Sequence, residues 1–154
     1  MQASRVVLGA SVSLHASTAM TVRANESMVC GAGSGIAAAS AAVELSVGSL
    51  LSCGDAISIT AGSLYASGGL QNGLLRTTGM LCRLPSMSVS GEVSVSSFDQ
   101  VVLTGSVAAT NVSLAFTQEL FVLDSIEAAT IDVSSHNLTL VSGGHLITDG
   151  RGLF

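Results

Sequence analysis

Apolar and polar residues alternate with a period of two along most of this chain, the mark of strands with one buried face. The alternation runs through SVSLHAS (11–17), AMTVRAN (19–25), AVELSVG (42–48), AISITAG (56–62) and MSVSGEVSVSS (87–97). It continues in VVLTGSVAA (101–109), NVSLAF (111–116), LFVLD (120–124), ATIDVSS (129–135) and NLTLVSG (137–143). Each run is short, roughly five residues, and small or turn-forming residues follow it. Helical spacing at i, i+3, i+4 and i+7 is not sustained anywhere, and Lys, Glu and Gln are scarce. The expected class is all-β.

The second half also repeats. Val102, Leu120 and Leu138 are 18 apart, while Val107 and Ile126, Val112 and Ile131, and Leu114 and Val133 are 19 apart. Three segments that return together at that interval predict a β-solenoid, with three short strands per coil of about 18–19 residues. Upstream, apolar positions recur at about 7–8 residues (Val12, Met20, Met28, Ile36, Val43, Leu50, Ile57, Leu64), which gives coils of about 21–24. The rhythm is least clear over residues 66–86, where Pro85 suits a corner or an edge. Residues 1–154 read as one solenoid domain of seven or eight coils.

Composition fits that architecture. Hydrophobic residues are 48% of the chain and charged residues 10%, against about 25% charged in average proteins. A narrow core suits Val, Ile, Leu, Ala and Ser, with Gly and Ser at the corners and hydroxyls outside. With no Lys, five Arg and a net charge of −5, the chain is not an electrostatic nucleic-acid binder. No apolar run approaches the roughly 20 residues of a membrane span, and the N-terminus lacks the apolar core of a signal peptide. These features point to the cytoplasm. Cys30, Cys53 and Cys82 form no CxxC pair, so buried free thiols are expected rather than zinc; one disulfide plus one free thiol is the alternative. Asn25, Asn111 and Asn137 sit in N-x-S/T triplets, acceptor sites if the chain is extracellular or on the cell surface.

Tests for chemistry come out bland. SMVCGAGSGIAAASAAVEL (27–45) resembles the dinucleotide turn of short-chain dehydrogenases, with Gly31, Gly33 and Gly35. The position of that family's last glycine is Ala37 here, its catalytic Lys is missing, and no βαβ alternation follows; a solenoid corner is the better reading. His15, His136 and His145 lie among abundant serines, and no G-x-S-x-G elbow exists. Asp99, Glu119, Asp124, Glu127 and Asp132 do not share one column of an 18–19 residue coil, as a glycosidase-type acid pair would require. Neither catalysis, nor a cofactor, nor a metal site, nor a small-molecule substrate is expected.

Residues 101–152 (VVLTGSVAATNVSLAFTQELFVLDSIEAATIDVSSHNLTLVSGGHLITDGRG) resemble the bactofilin domain. VVLTGSV, SIEAATIDV and LTLVSGGHLITDGRG carry its rhythm, and MSVSGEV (87–93) is a weaker copy. The chain departs from that family in its few charges, its absence of Lys and its lack of a Pro-rich tail. The resemblance implies a right-handed parallel β-helix that polymerises end to end without nucleotide into cytoskeletal filaments. Its partners would be other copies of itself and a cytoskeletal or membrane-associated protein. Apolar residues of the terminal coils would make the longitudinal contact, here Phe116, Phe121, Leu138, Leu140 and Leu146. The apolar start Val6, Val7 and Leu8 joins them, because no amphipathic capping helix is evident and bare strand edges recruit strands. A rival resemblance, AISITAGSLYASGGL (56–70), is to the haemagglutinin-type repeat of secreted adhesins; sarcoglycan-like and phage-spike β-helices are similar too. These imply an extracellular fibre or adhesin module, including a trimeric one.

Overall fold

The computed structural model describes residues 1–47, 50–53, 58–67, 70–71, 74–75, 81–115 and 118–148. These form strands and turns without a helix. In chain order the strands are β1 (Gln2–Leu8), β2 (Ser13–His15), β3 (Met20–Cys30), β4 (Gly35–Val47), β5 (Leu50–Cys53) and β6 (Ser58–Ser67). A small hairpin follows, β7 (Leu70–Gln71) with β8 (Leu74–Leu75), then β9 (Leu81–Leu84), β10 (Ser86–Val89), β11 (Glu92–Ser96) and β12 (Gln100–Leu103). The last are β13 (Val107–Ala115), β14 (Glu119–Val122), β15 (Ser125–Ser134), β16 (Asn137–Leu140) and β17 (His145–Thr148). Apart from the antiparallel hairpin, every pairing is parallel, and fifteen strands make one continuous sheet.

That sheet wraps into three sides. The first stacks the end of β1 on the end of β3, then β5, β9, β12, β14 and β16. The second stacks β2, the starts of β4 and β6, β10, and the starts of β13 and β15, ending at β17. The third stacks Gln2–Ala3 on Met20–Ala24, then the later parts of β4 and β6, β11, and the later parts of β13 and β15. The longer strands bend round a corner and so serve two sides. This is a parallel β-solenoid with seven strands stacked on each side, so that about six turns lead from the first layer to the last.

The ladder fixes the coil length. Leu8 pairs with Cys30 and Met28 with Leu51, 22 and 23 residues on. In the second half Cys82 pairs with Val101, and Val107 with Ile126, both 19 on. The expected 18–19 residue coil therefore holds for the second half, and the longer 21–24 residue coil for the first. Between them, Leu51 pairs with Cys82 across 31 residues. The extra residues include the β7–β8 hairpin, which leaves the ladder instead of supplying a coil. Even so, each side is seven strands deep among the described residues, within the seven or eight coils expected. Pro85 sits between β9 and β10, at a corner where its missing N–H interrupts no ladder bond.

One expected stack is shifted by a residue. Leu138 lies on Leu120, but Leu120 lies on Val101; Val102 stacks under Phe121 instead. Because side chains alternate faces, a one-residue error exchanges inside for outside. Inward stacks are continuous: Leu14, Ile36, Ile59, Met87, Val107, Ile126 and Leu146 on the second side, for example. Phe98 is the one large aromatic in the described core, fully buried at the corner before β12.

Coils packed at the roughly 4.8 Å strand spacing leave no room for a side chain aimed along the axis. At the second-to-third corner, a Cβ on Gly91 would lie 2.6 Å from the Gly62 carbonyl oxygen one coil below. The Gly91 carbonyl in turn accepts the Thr110 N–H of the coil above at 2.9 Å. Gly91→Ala is expected to force the corner apart and to cost about 1–3 kcal/mol, read as a lower urea midpoint with an unchanged m-value.

Candidate functional site

The distinctive surface is the C-terminal end of the stack. On the first side, Val6, Met28, Leu51, Cys82, Val101 and Leu120 are all buried. Leu138, the next member of that stack, is 44% exposed, and its neighbour Leu140 is 45% exposed. On the second side Ile126 is fully buried, whereas Leu146 above it is 37% exposed. The chemistry is the same in each stack; only the coil above is missing among the described residues. Ile131 and Val133 close the third side, half-buried against the core. Among the described residues the outer edges of β16, β17 and the end of β15 carry no further strand, so N–H and C=O groups there face outward on all three sides.

The other end differs. Val6 and Leu8 are only 4% and 5% exposed, packed on Met28 and Cys30, while Val7 between them points outward and is 70% exposed. Its exposed apolar positions also include Val12, and Leu14 beside it is half-buried. Phe121 is half-buried on the outer face of the first side, between Val102 and Thr139. Phe116 lies outside the described residues. The structure thus gathers Leu138, Leu140 and Leu146 on one end face and sets Val6, Val7 and Leu8 about six coils away.

Residues considered for chemistry do not converge. Glu119, Glu127 and Asp132 face outward on the first, second and third sides respectively, and Asp124 lies at the corner before β15. Glu119 accepts a hydrogen bond from Gln100 at 2.9 Å. Among the described residues no three His, Cys, Asp or Glu side chains gather in one place. The Gly31–Gly35 segment turns from the first side to the second. Ser34 Oγ donates to the Gly31 carbonyl at 2.7 Å, and a strand rather than a helix follows, so no helix N-terminus is present to hold a pyrophosphate. Surface concavities are shallow. The largest described, about 480 Å³, is lined by Gln118, Glu119, His136 and Asn137.

The cysteines correct the expectation of three free thiols. Cys30 and Cys53 are ladder partners, 4.5 Å apart at Cα, and are joined in a disulfide inside the first side. Their separation of 23 residues is one upstream coil, which was the available signal. Cys82 is free and fully buried, and desolvation pushes its thiol well above the usual range.

Comparison with known proteins gives no match of this chain to a family model, a curated protein or a solved structure. The likeness to bactofilins rests on the rhythm of residues 101–152 alone.

Thiol counting checks the interior. Alkylation of the denatured, unreduced chain is expected to modify Cys82 only, and reduction first is expected to give three adducts. The folded chain is expected to give none, since a buried, protonated thiol is a poor nucleophile. Three adducts without reduction would show Cys30 and Cys53 to be unbonded.

Proposed function

We propose that this chain is a structural module, a β-solenoid scaffold whose coils stack end to end with further copies of itself into a nucleotide-independent filament. The observation that carries this reading is the exposure of Leu138, Leu140 and Leu146 above stacks that are otherwise closed. A bactofilin-like cytoskeletal role in the cytoplasm, with a cytoskeletal or membrane-associated partner, is the finer form of the proposal. It draws on the resemblance of residues 101–152.

Magnitudes say how wide the contact must be. Covering three leucines that are already half-shielded contributes on the order of 1 kcal/mol each. Association costs an estimated 4 kcal/mol or more in lost rigid-body freedom. Leucine burial alone is therefore too weak, and the backbone edges of all three sides have to join the contact. A surface rich in Ser and Thr, with few charges, puts little repulsion in the way.

A second reading is an extracellular fibre or adhesin module. The Cys30–Cys53 disulfide favours it, because such bonds persist in oxidising compartments. Asn111 and Asn137 are exposed and Asn25 half-exposed, as glycan acceptors need to be. Unmodified Asn25, Asn111 and Asn137 together with reduced cysteines in native material would remove this reading.

Negative-stain microscopy of the purified chain without nucleotide is expected to show filaments. Leu140→Glu is expected to abolish them while circular dichroism stays β-rich, whereas Phe121→Arg, on the lateral face, is expected to leave them intact; polymer unchanged by Leu140→Glu would exclude that end contact.

A further inference from the structure

In a solenoid, position along the chain is position along the axis, so a charge gradient in sequence becomes an axial one. The first 25 residues carry Arg5 and Arg23 and no carboxylate. From Leu84 to the last residue the chain carries Glu92, Asp99, Glu119, Asp124, Glu127, Asp132 and Asp149, against one Arg, Arg151. Arg5 is bonded to Glu26 at 2.6 Å, so the first two coils keep a small positive excess. The last two coils hold Glu119, Asp124, Glu127 and Asp132 without a basic partner among the described residues other than His136 and His145. About six coils at the roughly 4.8 Å strand spacing separate the ends by about 30 Å. That distance exceeds the Debye length of about 10 Å at 0.1 M salt, so each end presents its own sign.

We infer that the open C-terminal end receives the N-terminal end of a second copy, which makes the assembly polar. The inference rests on the end-to-end reading and adds its direction. Two independent features support it. The first is charge: like ends repel and unlike ends attract. The second is the ladder. Head-to-tail stacking continues all three sides in the parallel sense, first side on first, with Val6 and Leu8 above Leu138 and Leu140 and Leu14 above Leu146. Joining two C-terminal ends by a two-fold axis instead turns the facing strands antiparallel and lays the second side on the third. The two ends also differ in cover, open at Leu138 and Leu140 and closed at Val6 and Leu8, so neither is built to match itself.

The experiment uses two variants of the chain, each blocked at one end. Leu140→Glu blocks the C-terminal face, and Val12→Asp, at an exposed turn, blocks the N-terminal face. Each alone is expected to sediment as a monomer at a concentration where the unmodified chain assembles, and an equimolar mixture is expected to give a 1:1 dimer. A dimer of Val12→Asp alone, or of Leu140→Glu alone, would show same-end contacts and overturn the polarity while leaving end-to-end assembly standing. An unmodified chain that stays monomeric would overturn both. Salt gives a readout that needs no variant. Raising it from about 0.01 M to about 0.1 M, which shortens the Debye length from about 30 Å to about 10 Å, is expected to weaken association of the unmodified chain several-fold. Unchanged or strengthened association contradicts contact between opposite charges.

Discussion

Every other feature of this molecule depends on the parallel backbone ladder between successive coils. Each inner coil gives its N–H and C=O groups to the coils above and below on three sides, so the backbone is satisfied without a helix. The ladder also dictates where side chains go. Val107 meets Ile126 and Leu114 meets Val133 because the register places them there, and alternation then decides that all four point inward. The core is therefore a set of vertical stacks, and one coil lends its burial to the next. Corners follow the same logic: Gly91 lies so near the Gly62 carbonyl that the coil spacing itself excludes a Cβ.

A fold built by repetition has no intrinsic way to finish. A globular core closes on itself, but a stack of coils ends in a layer that is a half-satisfied copy of those within. The chain handles its two ends differently. At the start, Val6 and Leu8 are covered by their surroundings. At the other end, Leu138, Leu140 and Leu146 keep interior chemistry at the surface. The disulfide lies nearer the covered end, in the second and third coils. There it ties neighbouring coils together, a restraint on the unfolded chain of the kind that typically contributes 2–4 kcal/mol.

Much of this was legible in the residues. Alternation identified strands, and the 19-residue returns at Val107, Val112 and Leu114 named true ladder partners. The failures have physical causes. Val102 was paired with Leu120 because Val101 and Val102 are both apolar and hydropathy alone does not say which faces in; the ladder puts Val101 inside. The stretch after Ser67 broke the period because a hairpin leaves the sheet, and an excursion has no register to read. The Cys30–Cys53 bond was readable in principle, since a 23-residue separation matches the upstream coil, but only once that coil was known. Phe98, fully buried at the corner before β12, was not singled out, because a core suited to Val, Ile, Leu, Ala and Ser gave no reason to look for an aromatic in it. Leu138, Leu140 and Leu146 were nominated as apolar residues near one end; their exposure is a property of the last coil and is invisible in the sequence.

The charge distribution shows how the fold gives meaning to a pattern that composition hides. A net charge of −5 describes a mildly acidic protein and nothing more. In a globular fold, residues distant in sequence mix on one surface, and such a gradient averages out. Here the chain climbs steadily, so Arg5 and Asp132 are separated in space as they are in sequence. The acids of the last coils flank an open strand edge, and charges beside an edge are a common guard against indiscriminate pairing. In the proposed assembly they would exclude a second acidic edge while leaving a basic one admissible. On the proposed head-to-tail contact, the feature that limits unwanted association would also select the wanted one, as expected when specificity comes from repulsion between wrong surfaces as much as attraction between right ones.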